Sequence, residues 1–166
     1  SAASDVPRQV SLVELLRRDR DSELTVRSIA ANWASAGPSP SPRTAIGVAA
    51  DGIVDIDLVR DGPHGLIAGT TGAGKSELLR SLVAGMAVAA SPTHLTFVLI
   101  DYKGGATFDA CAALPHVVGV VTDLDEQLAD RALRSMQAEL RRREKLLREH
   151  GAADLAELQA NSPSVI

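Results

Sequence analysis

Residues 69–76 read Gly-Thr-Thr-Gly-Ala-Gly-Lys-Ser, and this stretch constrains the fold more than any other feature of the chain. The pattern G-x-x-x-x-G-K-S is typical of a loop that binds the phosphates of a nucleoside triphosphate. Such a loop lies between a strand and a helix. Residues 64–68 form a short apolar run of strand length, and residues 76–90 are rich in helix formers. The sequence therefore predicts a strand, loop and helix unit.

The positions of this loop have separate expected tasks. Its glycines allow a tight turn whose N–H groups point at phosphate oxygens, and the following helix adds its positive end. Lys75 can reach the β- and γ-phosphates, and the hydroxyl of Ser76 can ligate Mg²⁺. The expected cofactors are ATP and Mg²⁺. The alternative is a degenerate site that binds ATP without hydrolysing it. The candidate binding residues are Gly69, Thr70, Thr71, Gly72, Ala73, Gly74, Lys75, Ser76 and Glu77.

Composition narrows the class of protein. A chain of 166 residues is long enough for one domain, and the presence of only four aromatic residues predicts an aliphatic core of Leu, Val, Ile and Ala. The net charge of −4 gives no basic footprint for nucleic acid, so such a partner would need a local patch. No apolar run reaches the ~18 residues of a membrane span. With no signal peptide and an ATP site, we expect a cytoplasmic location.

The single cysteine and the four histidines predict no special chemistry. One cysteine excludes an internal disulfide framework, and Cys111 is interpreted as a small core residue. The histidines at 64, 94, 116 and 150 lack metal-ligand spacing and are interpreted as structural or surface residues.

The chain before the loop predicts helices and then a hairpin. Residues 11–14 fit a capping box that opens a helix to about residue 18, and a second helix is expected over 23–33. Alternating prolines make residues 37–43 an extended loop. Two β-prone runs, 44–49 and 53–58, flank an Asp-Gly turn and predict a hairpin.

The chain after the loop alternates strands and helices. Residues 95–100 and 117–121 are apolar, as expected for strands buried on both faces of a parallel sheet. Asp123 and Glu126 are plausible caps of a long helix that runs to about His150. This alternation predicts an α/β fold with a mainly parallel sheet. One face of the long helix carries Leu128, Ala132, Met136 and Leu140.

Asp101 directly follows an apolar strand, where it would lie near bound phosphates. Two interpretations stay open: an aspartate that helps to hold Mg²⁺, or a charged turn that closes the strand. Lys103, in the following Lys-Gly-Gly turn, is expected at the same edge of the site.

Four segments together resemble the FtsK/SpoIIIE motor ATPases: 69–80, 99–108, 114–123 and 139–147. The similarity is greater to their EccC/EssC branch in type VII secretion. The features of that branch are Glu-Leu-Leu after the phosphate loop, Asp-Tyr-Lys-Gly-Gly-Ala after the strand, and a lead-in with Trp33.

The resemblance implies a RecA-like fold with a mainly parallel sheet flanked by helices, after a helical lead-in and a β-hairpin. It also implies two parts of the chain: a lead-in and linker over 1–43 and an ATPase domain over 44–166. Family members carry a strand that ends in Asp-Glu after the long helix, and no apolar strand here ends that way. The chain is therefore expected to be an N-terminal part of a module. The implied catalytic residues are Lys75, Asp101 and Arg131.

The resemblance also implies partners. Neighbouring ATPase modules would form a ring or stack, in which Arg131, or else Arg134, completes the next module's site; either could instead be a solvated helix arginine. The implied role is export of small helical proteins by the cytoplasmic domain of a membrane-anchored protein in a secretion complex. Two alternatives are a translocase of double-stranded DNA, which the acidic balance disfavours, and a non-hydrolysing regulatory module.

Overall fold

A computed structural model describes residues 6–17, 23–37, 41–102, 107–122 and 126–162. Among these residues, no helix is both long and apolar enough to cross a membrane. The elements follow in chain order. They are α1 (Leu12–Leu16), α2 (Val26–Ser35), β1 (Arg43–Ala49), β2 (Gly52–Asp57), α3 (Lys75–Ala89), β3 (Phe97–Asp101), a 3-10 turn (Asp109–Cys111), β4 (Val117–Thr122), α4 (Glu126–His150) and α5 (Leu155–Asn161).

Both lead-in helices begin with a capping box. At α1 the side chain of Ser11 accepts a hydrogen bond from Glu14 N–H at 3.2 Å. The carboxylate of Glu14 accepts one from Ser11 N–H at 2.8 Å. Thr25 and Ser28 make the equivalent pair at α2. The predicted start of α1 is confirmed. The second helix begins later than predicted, at Val26, because Thr25 caps it.

The described strands form two separate pairs rather than one mainly parallel sheet. β1 and β2 are antiparallel and turn at the predicted Asp51-Gly52, so the hairpin is confirmed. β3 and β4 are parallel. The predicted mixture of helices and strands is thus present, and the parallel part is the pair that follows the phosphate loop.

Two predictions about strands are wrong. Residues 64–68 belong to neither described sheet, and the side chain of Leu66 is 94% exposed. A strand needs a hydrogen-bonded neighbour, and no described strand pairs with this segment. β3 is buried on one face only: Leu99 is buried, whereas the side chain of the preceding residue, Val98, points to the other face and is exposed. The described elements that pack on β3 cover only the Leu99 face.

The core lies between α3, the β3–β4 pair and the 3-10 turn. Its buried cluster is Val83, Leu99, Phe108 and Cys111, with Phe97, Leu114 and Val117 packed around it. The core interpretation of Cys111 is confirmed, since its side chain is only 4% exposed and burial raises the pKa of its thiol. The core is not purely aliphatic, because both phenylalanines contribute to it.

α4 and α5 complete the fold after β4. The long helix is confirmed, but Asp123, one of its two predicted caps, lies outside the described residues. On the predicted face Ala132 and Met136 are half-buried, whereas Leu128 and Leu140 are 42% and 61% exposed. Ala129, which lies beside that face, is buried. The predicted face is therefore only partly packed, by contacts with β4 and α5.

An Asp57 turn, residues 57–61, joins the hairpin to the segment that enters the phosphate loop. Asp57 accepts hydrogen bonds from the Ser41 hydroxyl at 2.6 Å, from Val59 N–H at 2.9 Å and from Arg60 N–H at 3.1 Å. Its own N–H donates to Asp61 at 2.9 Å. The Ser41 bond first, and then the Arg60 bond, lowers the pKa of Asp57.

Gly85 brings α3 and β1 into close contact. A Cβ atom at position 85 would lie 1.8 Å from Thr44 Oγ1 and 2.9 Å from Thr44 Cβ. Thr44 is itself buried, so it has little room to move. The hairpin can dock on α3 at this distance because position 85 has no side chain.

Gly85→Ala should destabilise the protein. Alanine gains about 1 kcal/mol of helix propensity, but overpacking here forces α3 and β1 apart at a cost of about 1–3 kcal/mol. We expect the overpacking to cancel the gain in helix propensity and leave a net loss of up to about 2 kcal/mol in the free energy of unfolding, measured by urea titration. Gly47→Ala in β1 is the control, because no atom lies within 4 Å of its added Cβ. A variant stabilised by about 1 kcal/mol, the full gain in helix propensity, would contradict this packing.

Acid should destabilise the fold through Asp57. Because its folded pKa is below the unfolded value of about 3.9, its contribution is fully present above that pH and is lost as the pH falls through the folded pKa. Below about pH 4, the free energy of unfolding should fall more steeply in the unaltered protein than in Asp57→Asn. Ser41→Ala should reduce this pH dependence in part. Equal slopes in all three proteins would contradict the account.

Candidate nucleotide site

The loop over residues 69–74 is a tight turn that two glycines make possible. Gly72 has a φ of 81° and Gly74 has a φ of 82°, both in the left-handed region that other residues rarely adopt. Ala73 N–H donates to Thr70 O at 3.2 Å within the turn. α3 begins directly afterwards, with Gly74 as its N-terminal cap. The predicted loop and helix are therefore continuous.

Lys75 folds back on the loop that precedes it. Its Nζ donates to Gly69 O at 2.7 Å and to Thr70 O at 2.6 Å. A Cβ at Gly69 would lie 3.3 Å from Ala73 Cβ, so the loop is also closely packed across its base. The ammonium group therefore lies against the turn, where a phosphate ligand would compete with the carbonyls for it.

The loop has the features that a phosphate ligand requires. Residues 70–74 are exposed, and the first N–H groups of α3 lie at the positive end of the helix. Ser76 lies half-buried in the first turn, next to Lys75. Glu77 is exposed and forms an ion pair with Arg80, so its carboxylate is partly neutralised. The residues present thus fit the triphosphate of a nucleotide with its metal ion.

This site is an open surface rather than a cavity. Two cavities, of 390 and 520 Å³, lie between the lead-in helices and α3, and residues from the loop line neither of them. Among the described residues, no group of three or more His, Cys, Asp or Glu is placed to hold a metal ion.

Asp101 lies at the carboxyl end of β3, as predicted, and its side chain is 8% exposed. Its Oδ2 accepts a hydrogen bond from Thr107 N–H at 3.2 Å. This bond connects the end of β3 to Thr107. Lys103, predicted at the same edge, lies outside the described residues.

The two candidate arginines of α4 differ in their contacts. Both are exposed. Arg134 is paired with Asp130 at 2.6 Å, whereas Arg131 has no ion pair among the described residues. Farther along, Arg142 and Arg143 both bind Glu139 and lower the pKa of its carboxyl to about 2. Arg131 is thus the candidate whose guanidinium can reach another molecule without breaking a described ion pair.

Sequence reasoning missed a set of contacts at the far end of α3. Trp33 Nε1 donates to Ala87 O at 3.0 Å, and Asn32 Nδ2 donates to Val88 O at 3.4 Å. His116 Nε2 donates to Ala90 O at 2.8 Å. These donors are far from α3 in sequence, and no local pattern identifies them. We call this group the α3 end cap.

A sequence model of the FtsK/SpoIIIE family matches residues 33–166. The ESX secretion system protein EccC of Geobacillus thermodenitrificans is 36% identical over 149 residues, which are 87% of this chain and 10% of that protein. The type VII secretion system protein EssC of Staphylococcus aureus is 51% identical over 89 residues, 54% of this chain and 6% of that protein. The chain thus spans about a tenth or less of these relatives.

Solved structures give the same relationship in three dimensions. The cytoplasmic domain of the type VII secretion ATPase EccC of Thermomonospora curvata superposes with a TM-score of 0.76 at 36% identity, over 96% of this chain and 20% of that one. ATPases 2 and 3 of the same EccC, in complex with a signal sequence peptide, give a TM-score of 0.66 at 25% identity, over 78% of this chain and 26% of that one. The chain shares the mixed α/β fold of part of this ATPase.

Proposed function

The chain belongs to the FtsK/SpoIIIE family, and on that premise we propose that it is an ATP-binding module of a motor ATPase for type VII protein secretion. The observation that carries the proposal is the closed turn over residues 69–74, which presents Lys75 at the start of α3. The similarity to EccC and EssC supports the secretion branch.

The residues of the loop would divide the work of binding ATP. The exposed N–H groups of residues 70–74 and of the first turn of α3 would bind phosphate oxygens. Lys75 would leave the carbonyls of Gly69 and Thr70 for the β- and γ-phosphates, and the Ser76 hydroxyl would ligate Mg²⁺. Bound Mg²⁺ would neutralise charge that develops on the phosphates during hydrolysis.

Hydrolysis needs groups beyond this loop. Water must be aligned for attack on the γ-phosphate, and the charge that develops there must be stabilised. Alignment and charge stabilisation together contribute several kcal/mol to such a reaction. We assign to Arg131 the role of stabilising transition-state charge in a neighbouring module, because its side chain is exposed and has no ion pair among the described residues.

The proposed partners follow from the secretion branch. Neighbouring ATPase modules would form a ring or stack, and secreted helical proteins would be moved through a membrane complex. Support comes from the relative whose ATPases 2 and 3 were solved with a signal sequence peptide. A cytoplasmic location is proposed from the cytoplasmic domain to which this chain is similar.

A non-hydrolysing regulatory module is the second candidate. Lys75 is already satisfied by two carbonyls, so nucleotide could bind weakly and serve to hold an interface. Translocation of double-stranded DNA is the third candidate, and the net charge of −4 counts against it.

Lys75→Ala should strongly weaken ATP binding at this site. The substitution removes the ammonium that pairs with the β- and γ-phosphates, and such a charged hydrogen bond contributes about 1.5–3 kcal/mol, or roughly 10- to 150-fold in affinity. The measurement is calorimetric titration of the protein with ATP and Mg²⁺. An unchanged dissociation constant would refute the assignment of Lys75.

The same titration separates the two interpretations of Asp101. Asp101→Asn keeps a side-chain oxygen that can accept Thr107 N–H but removes the negative charge. If Asp101 only closes the strand, ATP–Mg²⁺ should bind the variant as it binds the unaltered protein. Weaker binding that appears only with Mg²⁺ present would instead assign Asp101 to the metal ion.

A further inference from the structure

The α3 end cap joins the lead-in to the phosphate-loop helix. The last carbonyls of a helix have no partner within the helix. Here α2 supplies two donors, Asn32 and Trp33, to the carbonyls of Val88 and Ala87. The Trp33 ring also stacks edge-on against His116, with ring centroids 5.4 Å apart. α2 is therefore attached directly to the end of α3 that lies opposite the nucleotide loop.

We propose that α2 positions the phosphate loop through α3, with Trp33 as the main positioning residue. Docking of α2 and binding of nucleotide would then stabilise each other. The proposal rests on the proposed function, because it requires nucleotide at the loop. It adds a regulatory role for the lead-in, since whatever moves α2 would change nucleotide affinity.

A rigid helix connects the two ends. α3 has 15 residues, from Lys75 to Ala89, and contains no proline. Its length is about 22 Å at 1.5 Å per residue. Lys75 and Ser76, the proposed ligands of phosphate and metal, form its first turn, whereas Ala87 lies in its last turn. A shift of α3 along its axis at Ala87 would therefore reach the phosphate-binding atoms.

α2 packs on α3 without a fully buried residue, which suits an element that can move. Val26 is 86% exposed. Asn32 Oδ1 and His116 Nδ1 are buried without a hydrogen-bond partner in the described structure. Both atoms would gain water if α2 left the surface, which offsets the bonds that would be lost.

Coupling of this kind is reciprocal. If docked α2 raises the affinity for nucleotide by some factor, bound nucleotide must favour docked α2 by the same factor. A purely structural role of Trp33 would lower stability without this reciprocal effect. The two effects can be measured separately in the intact protein.

The test compares Trp33→Phe with the unaltered intact protein. Phenylalanine keeps an aromatic ring against His116 and loses the N–H that binds Ala87 O. We expect the dissociation constant of adenylyl imidodiphosphate with Mg²⁺ to rise about fivefold or more. Only binding that is lost in Lys75→Ala is counted as binding at the loop. In the unaltered protein, the same ligand should slow hydrogen–deuterium exchange over residues 26–35. Val26→Ala is the control on the same helix and should change neither result.

Thr25→Ala provides a second, independent perturbation. It removes the capping box of α2 and leaves every atom of the α3 end cap in place. It should weaken nucleotide binding in the same direction as Trp33→Phe. If the unaltered protein binds nucleotide at the loop, two results would overturn the proposal. One is unchanged nucleotide affinity in both variants, and the other is hydrogen–deuterium exchange over residues 26–35 that is the same with and without the ligand. Failure of the unaltered protein to bind nucleotide would overturn the proposed function and this inference with it.

Discussion

The packing of α3 is the constraint on which the rest of the structure depends. One side of the helix contacts the hairpin through Gly85 and Thr44, and another carries Val83 into the core with β3 and the 3-10 turn. Its first residue is the lysine of the phosphate loop, and its last carbonyls are bound by side chains from α2 and from the residue before β4. The helix that begins at the nucleotide loop is therefore held by the hairpin, by α2, by the 3-10 turn and by the residue before β4.

The sequence alone was enough to predict the elements that are determined by residues close together in the chain. Ser11 and Glu14 are three residues apart, the Asp-Gly turn lies within the hairpin, and the phosphate loop has its glycines where a left-handed backbone is needed. These signals need no knowledge of distant residues. For the same reason the start of α1, the hairpin and the loop–helix junction were all predicted correctly.

Features that depend on distant neighbours could not be predicted in this way. The apolar run at 64–68 has strand composition, but a strand also needs a paired partner, and neither described sheet provides one. β3 has the composition of a strand buried on both faces, yet only the Leu99 side is covered. The contact of Trp33 with Ala87 joins residues 54 positions apart. Only the folded chain brings such residues together.

Family membership and local geometry support different parts of the functional account. The match over residues 33–166 establishes the family, whereas the turn at Gly72 and Gly74 and the position of Lys75 support nucleotide binding. Cargo is the remaining question, because the chain spans only 10% of EccC and 6% of EssC in the relatives compared. Protein and DNA would both be moved by the same chemistry at the loop.

ATP turnover by the intact protein tests the central claim most directly. Turnover would be compared with no addition, with a C-terminal peptide of a secreted substrate, and with duplex DNA. The account predicts that the peptide stimulates turnover, that DNA does not, and that Lys75→Ala removes this module's share. Stimulation by DNA alone would contradict it and make the protein a DNA translocase.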